Sequence, residues 1–276
     1  MTGTRTILIT GASSGIGWQA AATMKARGWR VLATARQPQD LQRLQRELGV
    51  VALPLELAQS QSIAACAAQA LDEAGGRIDA LFNNGAFGQV GAVEDLTAEV
   101  LRHQLEVNLI GTHDLTRRLI PAMRRQRFGR IVQCSSVLGL VVSPYRGAYC
   151  ASKFALEALS DCLRLELAGS GIEVALIEPG PIRTRFVETA LANFRRTVDI
   201  EGSAHRDTYL ARLKGMEAGG KQTFKLEPEA VVARLVHAVE SPRPKLRYYV
   251  TTPTYVSAAL RRVLPYRVLD RVLARM

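Results

Sequence analysis

The sequence predicts an α/β chain built on a doubly wound parallel sheet of about seven strands, flanked by helices. Three observations carry that expectation. Short β-branched runs alternate with Ala/Leu-rich amphipathic stretches along most of the chain. The stretches between the runs have the length of helical crossovers, which parallel strands require. A glycine-rich turn follows the first strand and opens the first helix. With 276 residues, 47% of them hydrophobic and 22% charged, the chain suits one sizeable domain with a deep core. That profile argues against disorder, a collagen-like chain or a disulfide-stapled fold.

The elements follow in order. The run TILIT at 6–10 is a strand, the stretch 15–27 a helix, and 30–35 the second strand. A helix at 40–48 leads to a short strand at 51–56, then a helix at 60–74 and a strand at 80–83. A long helix is expected over 100–125, a strand at 130–134, a helix at 148–168 and a strand at 173–177. The pattern closes with a helix at 228–240 and a final strand at 247–251. Residues 181–226 have few apolar runs and many Arg, Thr and Gly residues, and are read as a loop-like lid. A single domain is thus expected over 1–251. The proline-dense extension at 252–276 is expected to form two short helices, each begun by a proline. Val268, Leu269, Val272, Leu273 and Met276 would line one face of the second, with Arg267, Asp270, Arg271 and Arg275 elsewhere.

The net charge is +11, but its distribution does not suit a nucleic-acid-binding body. From Ser241 onward there are eight basic residues against the single acid Asp270, so +7 of the +11 lies in the last 36 residues. Beside an apolar helical face, those arginines suit either contact with an anionic membrane or packing beside the lid. Cys66, Cys134, Cys150 and Cys162 form no C-x-x-C pair and are expected to be free and buried, as in a reducing, cytosolic-type compartment. The start of the chain has no apolar stretch of signal-peptide length, and no run approaches the ~18 apolar residues of a membrane helix.

The glycine turn runs Thr10-Gly11-Ala12-Ser13-Ser14-Gly15-Ile16-Gly17. Between a strand and a helix, such glycines let backbone N–H groups approach a pyrophosphate at the positive helix end. The spacing is G-x3-G-x-G, unlike the common G-x-G-x-x-G. At the end of the second strand, an acid would accept ribose hydroxyls, whereas an arginine favours a 2′-phosphate. Here neutral Ala35 is followed by Arg36, which favours NADP(H) over NAD(H).

Tyr149 and Lys153 stand four residues apart at the start of a helical stretch, about one turn, so phenol and ammonium share a face. A nearby lysine and a cationic nicotinamide would both favour phenolate, lowering the tyrosine pKa towards a working range. Ser136 follows the strand at 130–134, where its hydroxyl could bond a substrate oxygen or cap a turn. Asn108 lies inside the long helix, where asparagine has no propensity reason to be.

Together these residues resemble the short-chain dehydrogenase/reductase family, in its short single-domain branch with an extended C-terminus. TGASSGIG at 10–17, Asn83-Asn84, Asn108, Ser136, Tyr149, Lys153 and Pro179-Gly180…Thr184 occur in the family's order and spacing from about residue 4 to 240. Ala33-Thr34-Ala35-Arg36, the run at 149–157 and Ile177-Glu178-Pro179-Gly180-Pro181 resemble hydroxysteroid- and retinol-dehydrogenase-like members. The resemblance implies a Rossmann-type fold and hydride transfer to or from a carbonyl/alcohol carbon of an apolar substrate. It makes Tyr149 the acid/base and Ser136 the group that polarises the carbonyl. Lys153 would tune the tyrosine and bind the nicotinamide ribose, and Asn108 would hold a water relaying protons through Lys153. Gly11, Ser13, Ser14, Gly15, Ile16, Gly17, Glu56, Leu57, Asn83, Asn84, Gly85, Pro179, Gly180, Ile182 and Thr184 would line the cofactor. It also implies a homodimer or homotetramer through the helices near 100–125 and 150–168. Two departures stand out: Asn83-Asn84-Gly85-Ala86 replaces the family's Asn-Asn-Ala-Gly, and Glu56 occupies the place of an adenine-contacting aspartate.

His103, His113, His205 and His237 lack ligand spacing, and the chemistry calls for no metal. Arg183 and Arg185 suit an acidic substrate or plain solvation, and Phe186, Phe194, Tyr209, Leu213 and Phe224 are candidate pocket residues. Two rival functions share features of the site: a catalytically idle NADP(H)-binding sensor, and a nucleotide-sugar epimerase with the same Y-x3-K. The full Ser136/Tyr149/Lys153/Asn108 set disfavours the first; the glycine spacing disfavours the second.

Overall fold

The computed structural model describes residues 4–217 and 223–274. Its seven strands are β1 (Thr6–Ile9), β2 (Arg30–Ala35), β3 (Val51–Pro54), β4 (Ala80–Asn83), β5 (Gly129–Cys134), β6 (Ile172–Glu178) and β7 (Arg247–Tyr249). They form one sheet in the order β3-β2-β1-β4-β5-β6-β7 with every neighbouring pair parallel. The expected doubly wound sheet is therefore present. Because β1 pairs with β2 on one side and β4 on the other, the connections diverge there. Doubly wound sheets bind ligands at the carboxyl ends of the strands beside such a point.

Strand periodicity sends alternate side chains to opposite faces. Ile7, Ile9, Val31, Ala33, Phe82, Val132 and Ile177 enter one core, with Ala20, Ala21 and Met24 of α1 (Gly15–Ala26) and Val231, Val232 and Leu235 of α9 (Pro228–Glu240). Leu8, Leu32, Leu81, Ile131 and Val174 enter the other, with α3 (Ser60–Glu73) and Leu115, Leu119 and Met123 of α5 (Thr112–Arg125). The edge helix α2 (Pro38–Leu48) starts with proline and ends at Gly49, whose φ of 60° is the left-handed cap glycine supplies at little cost.

The expected long helix is broken in the middle. α4 (Ala98–Leu105) passes through a π turn, Glu106–Gly111, into α5. A π turn inserts one extra residue and frequently marks a functional site. Gly111 is required there, since a Cβ would lie 2.0 Å from the Leu57 carbonyl oxygen.

The segment expected as a loop-like lid instead holds two helices, α7 (Phe186–Thr197) and α8 (Arg206–Glu217). Part of that reading, 218–222, lies outside the described residues. A bridge between Ile182 and Leu226 closes the excursion back onto the domain. The extension forms α10 (Thr252–Val263) and α11 (Tyr266–Leu273), begun at Pro253 and Pro265; Arg275 and Met276 lie outside the described residues. All four cysteines are free; Cys66, Cys134 and Cys150 are buried, but Cys162 is exposed, contrary to expectation. Its place on α6 (Gly147–Glu166) turns it away from the sheet. No helix among the described residues is long and apolar enough to cross a membrane.

Candidate active site

The glycine turn and the Tyr/Lys helix converge at the carboxyl end of the sheet. Thr10 follows β1, and its hydroxyl accepts from the backbone N–H of Asn84 (2.9 Å) and Gly85 (2.8 Å). The Asn84 amide donates to the Thr10 and Gly11 carbonyls at 3.1 and 3.2 Å. These bonds fix the loop after β4 onto the turn after β1. Gly11 has a φ of 65°, and a Cβ there would lie 2.6 Å from the Gly85 Cα. One at Gly17 would lie 2.2 Å from the Gly11 carbonyl oxygen. Gly11 and Gly17 are thus the glycines the turn requires, while a Cβ at Gly85 would lie 3.2 Å from Leu57 Cδ1 and 3.3 Å from Gly11 N.

Beyond the turn, Ser13, Ser14, Gly15 and Ile16 are partly exposed at the N-terminus of α1, and Ser14 makes no side-chain cap. Backbone donors at that helix end suit a pyrophosphate. Thr184 stands over them, since a Cβ at Gly15 would lie 2.9 Å from Thr184 Cγ2. Arg36 is exposed at the end of β2, 3.8 Å from Glu56. Glu56 also accepts from the Ala58 N–H at 3.2 Å, and Leu57 is buried beside Gly85. This cradle fits a dinucleotide.

Other assigned residues serve the frame. The Asn83 amide donates inward to Thr116 Oγ1 at 2.8 Å. The Pro179 carbonyl accepts from Val137 N at 2.8 Å, and Gly180 is pressed against the Thr251 hydroxyl. Ile182 packs against the first core.

Ser136 follows β5 and fills the capping role considered for it. Its hydroxyl caps the short turn Val137–Gly139, accepting from Leu138 N at 3.1 Å, and it lies near enough to the Tyr149 phenol to pull that pKa down. Tyr149 is buried on α6 among Leu138, Cys150 and Phe186, with the Phe186 ring edge-on at 5.4 Å. Lys153, one turn on, is buried; its Nζ donates to the Cys134 carbonyl at 2.7 Å and lies 5.8 Å from the Tyr149 ring centre. Burial lowers the lysine pKa and pushes the phenol up, with neighbouring Ser136 and Arg146 pulling against that rise. The expected lowering of the phenol is therefore not supplied by this arrangement: the ammonium is directed to a carbonyl, and burial dominates.

Asn108 lies in the π turn. Its amide accepts from Phe87 N at 3.1 Å, donates to the Phe87 carbonyl at 2.8 Å, and donates to Ser152 Oγ at 3.2 Å. Ser152 in turn donates to the Tyr149 carbonyl at 2.7 Å. Asn108 thus links the loop after β4 to the Tyr149 helix, which explains an asparagine in a helix interior.

Val90, Arg146, Tyr149, Phe186, Val187 and Ala190 line a cleft beside the phenol. Of the candidate pocket residues, only Phe186 joins it. Phe194, Tyr209 and Leu213 pack into a separate cluster with Ala92 and Val198, and Phe224 is exposed. Arg183 and Arg185 face Glu227 and Glu188. Among the described residues, no group of three or more His, Cys, Asp or Glu side chains is placed to hold a metal ion.

Two features were not read from the sequence. Arg43 of α2 donates to the Ser13 carbonyl, with its guanidinium 4.6 Å from the Trp18 ring centre. Behind the Tyr/Lys helix, Arg247 of β7 donates to Glu157, to Glu178 at 2.8 Å and to Asp161 at 2.6 Å. Glu178 is fully buried, and its carboxyl is pushed up to about 8 by burial and the Glu157 charge, Arg247 opposing. A carboxyl raised above its ordinary 4.5 contributes stability that is whole below 4.5 and lost as pH rises towards about 8. Tm is expected to fall across that window in thermal melts, and Glu178→Gln to flatten the fall. An equal fall in the variant would rule this carboxyl out as its source.

A nucleotide cradle at a sheet switch point, joined to a Ser/Tyr/Lys group, defines a class of dinucleotide-dependent oxidoreductases. A family model described as short chain dehydrogenase matches residues 5–193, and the chain belongs to that family. It is 41% identical over 270 residues to the uncharacterized oxidoreductase YbbO of Escherichia coli strain K12, covering 98% of this chain and 94% of that one. It is 34% identical over 259 residues to human 17-beta-hydroxysteroid dehydrogenase type 1, covering 89% and 77%. A short chain dehydrogenase/reductase from Burkholderia phymatum in complex with NAD is similar in structure, with a TM-score of 0.79 at 25% identity, covering 98% and 95%.

Proposed function

We propose that the chain is an NADP(H)-dependent oxidoreductase acting on a carbonyl/alcohol carbon of an apolar substrate, with Tyr149 as general acid/base. The observation that carries this reading is the buried Tyr149, with Lys153 Nζ 5.8 Å from its ring centre and Ser136 nearby, beside a cleft walled by Val90, Phe186, Val187 and Ala190. A carbonyl oxygen placed between the two hydroxyls is polarised by Ser136 and receives the Tyr149 proton in reduction; in oxidation the proton returns to the phenol. Burial holds the phenol protonated, the form needed to act as an acid. The bound nicotinamide supplies or accepts the hydride. Lys153 orients the nicotinamide ribose and, with Asn108, resupplies the proton. Gly11 to Gly17 hold the pyrophosphate, and Thr184 contacts the nicotinamide end.

The same fold carries NAD in a neighbour, so cofactor choice rests on side chains. Neutral Ala35, exposed Arg36 and the nearby Arg43 favour a 2′-phosphate. Arg36→Asp is expected to lower kcat/KM with NADPH by about tenfold to a hundredfold, the loss of a charge-assisted bond of ~1.5–3 kcal/mol, and to affect NADH far less. Equal losses with both cofactors would refute the assignment. Exposed Leu101, Ile110, Leu159 and Leu165 on the α4–α5 and α6 region support a homo-oligomer, and the four free cysteines suit a reducing, cytosolic-type compartment. The deciding experiment assays apolar ketones and aldehydes with NADPH and NADH in parallel. NADPH binding without turnover of any of them would favour the idle sensor.

A further inference from the structure

The outward face of α10 carries a feature that the oxidoreductase chemistry does not use. Its inward side is made of small residues, with Thr254, Ser257 and Ala258 buried. The apolar residues face the other way: Tyr255 is 53%, Val256 50% and Val263 71% exposed. With exposed Ala259 they fall within one stripe at the helical angle of about 100° per residue. At the joint between the last two helices, Val263 is followed by Tyr266, 82% exposed.

α11 is held in place, since its Leu269 and Leu273 pack against Val141 with Leu260 and Leu264. Arg261 also turns inward, donating to the Leu140 carbonyl at 2.6 Å. Arg262, Arg267 and Arg271 remain exposed, and none has an acidic partner among the described residues. The surface is therefore apolar, tyrosine-bearing and cationic at once, on a firmly seated support.

We propose that this face, Tyr255, Val256, Val263 and Tyr266 with Arg262, Arg267 and Arg271, docks on an anionic lipid surface. The stripe would enter the headgroup boundary, tyrosines holding the interface and guanidiniums pairing with lipid phosphates. A nucleic acid offers nothing for the apolar stripe. A second copy of the chain, paired face to face, would set the same unpaired arginines against each other. An anionic lipid surface meets both halves of the patch. Docking there also engages the helices that pack on the segment just after Ser136. The inference rests on surface chemistry and stands apart from the reading of the reaction.

Flotation of the purified full chain with phosphatidylcholine vesicles, with and without phosphatidylglycerol, tests it. Binding is expected to the phosphatidylglycerol vesicles only, at low salt, with release as salt is raised. Two exposed-surface variants, Val263→Asp/Tyr266→Ser and Arg262→Glu/Arg267→Glu/Arg271→Glu, are each expected to cut the floated fraction about tenfold with unchanged Tm. No flotation at low salt, equal flotation with neutral vesicles, or full flotation of the charge-reversed variant overturns the proposal. So does an oligomer that Val263→Asp/Tyr266→Ser splits, which would make a second copy the occupant.

Discussion

Tyr149→Phe is expected to lower kcat by ~10²–10⁴, the contribution of a positioned general acid or base, while leaving cofactor affinity and Tm nearly unchanged. The ring lies among Leu138, Cys150 and Phe186, and phenylalanine keeps all of that packing. What is lost is one hydroxyl, while the Ser136 oxygen still accepts from Leu138 N. The change therefore isolates the proton-donating group from the fold. Steady-state kinetics with NADPH and an apolar carbonyl from the panel, alongside cofactor titration and thermal melts, separate the two effects. A variant that turns over at close to the parent rate would remove Tyr149 from the chemistry.

Arg247→Ala is expected to destabilise the fold by ~3–5 kcal/mol, the range for breaking a buried pair by removing one partner. Arg247 meets Glu157, Glu178 and Asp161 at once; Glu178 is fully buried and Glu157 nearly so. Without the guanidinium these carboxyls are left facing each other, and they respond by taking up protons. The loss should thus be largest at alkaline pH, and adding Glu178→Gln should restore part of it. The variant also bears on the site, because Glu157 lies one turn beyond Lys153 on α6. Urea unfolding at two pH values checks the energy. An unchanged midpoint would show that Arg247 merely decorates the sheet edge.

Much of this architecture was legible in the order of residues. Thr6–Ile9, Arg30–Ala35 and Ala80–Asn83 stand where β-branched and apolar runs placed them, because buried parallel strands are apolar on both faces. The glycine turn was legible for a local reason: Gly11 must adopt a positive φ and Gly17 must leave room for a carbonyl. Ser136, Tyr149 and Lys153 were found through spacing, which a helix and a strand end convert into proximity.

Other features depend on partners distant in sequence. The π turn at Glu106–Gly111 exists where Asn108 grips Phe87 and Gly111 meets Leu57, and no helical periodicity announces it. Helices α7 and α8 were missed because they do not pack on the main sheet: Phe194 and Tyr209 are buried in a small cluster of their own with Ala92 and Val198. Bonds distant in sequence add to this: the Tyr209 hydroxyl accepts from Ala92 N and donates to Asp95.

The sequence by itself determined the parallel α/β architecture, the nucleotide turn and the Ser/Tyr/Lys set, since each follows from local conformational preference or fixed spacing. Only the tertiary structure decided which side chains close the cleft and where the Lys153 ammonium is directed. It alone also decided that Arg247 gathers three carboxyls and that the last helices turn an apolar, arginine-flanked face to solvent. Those outcomes depend on burial and on contacts between residues far apart in the chain, which no local pattern encodes.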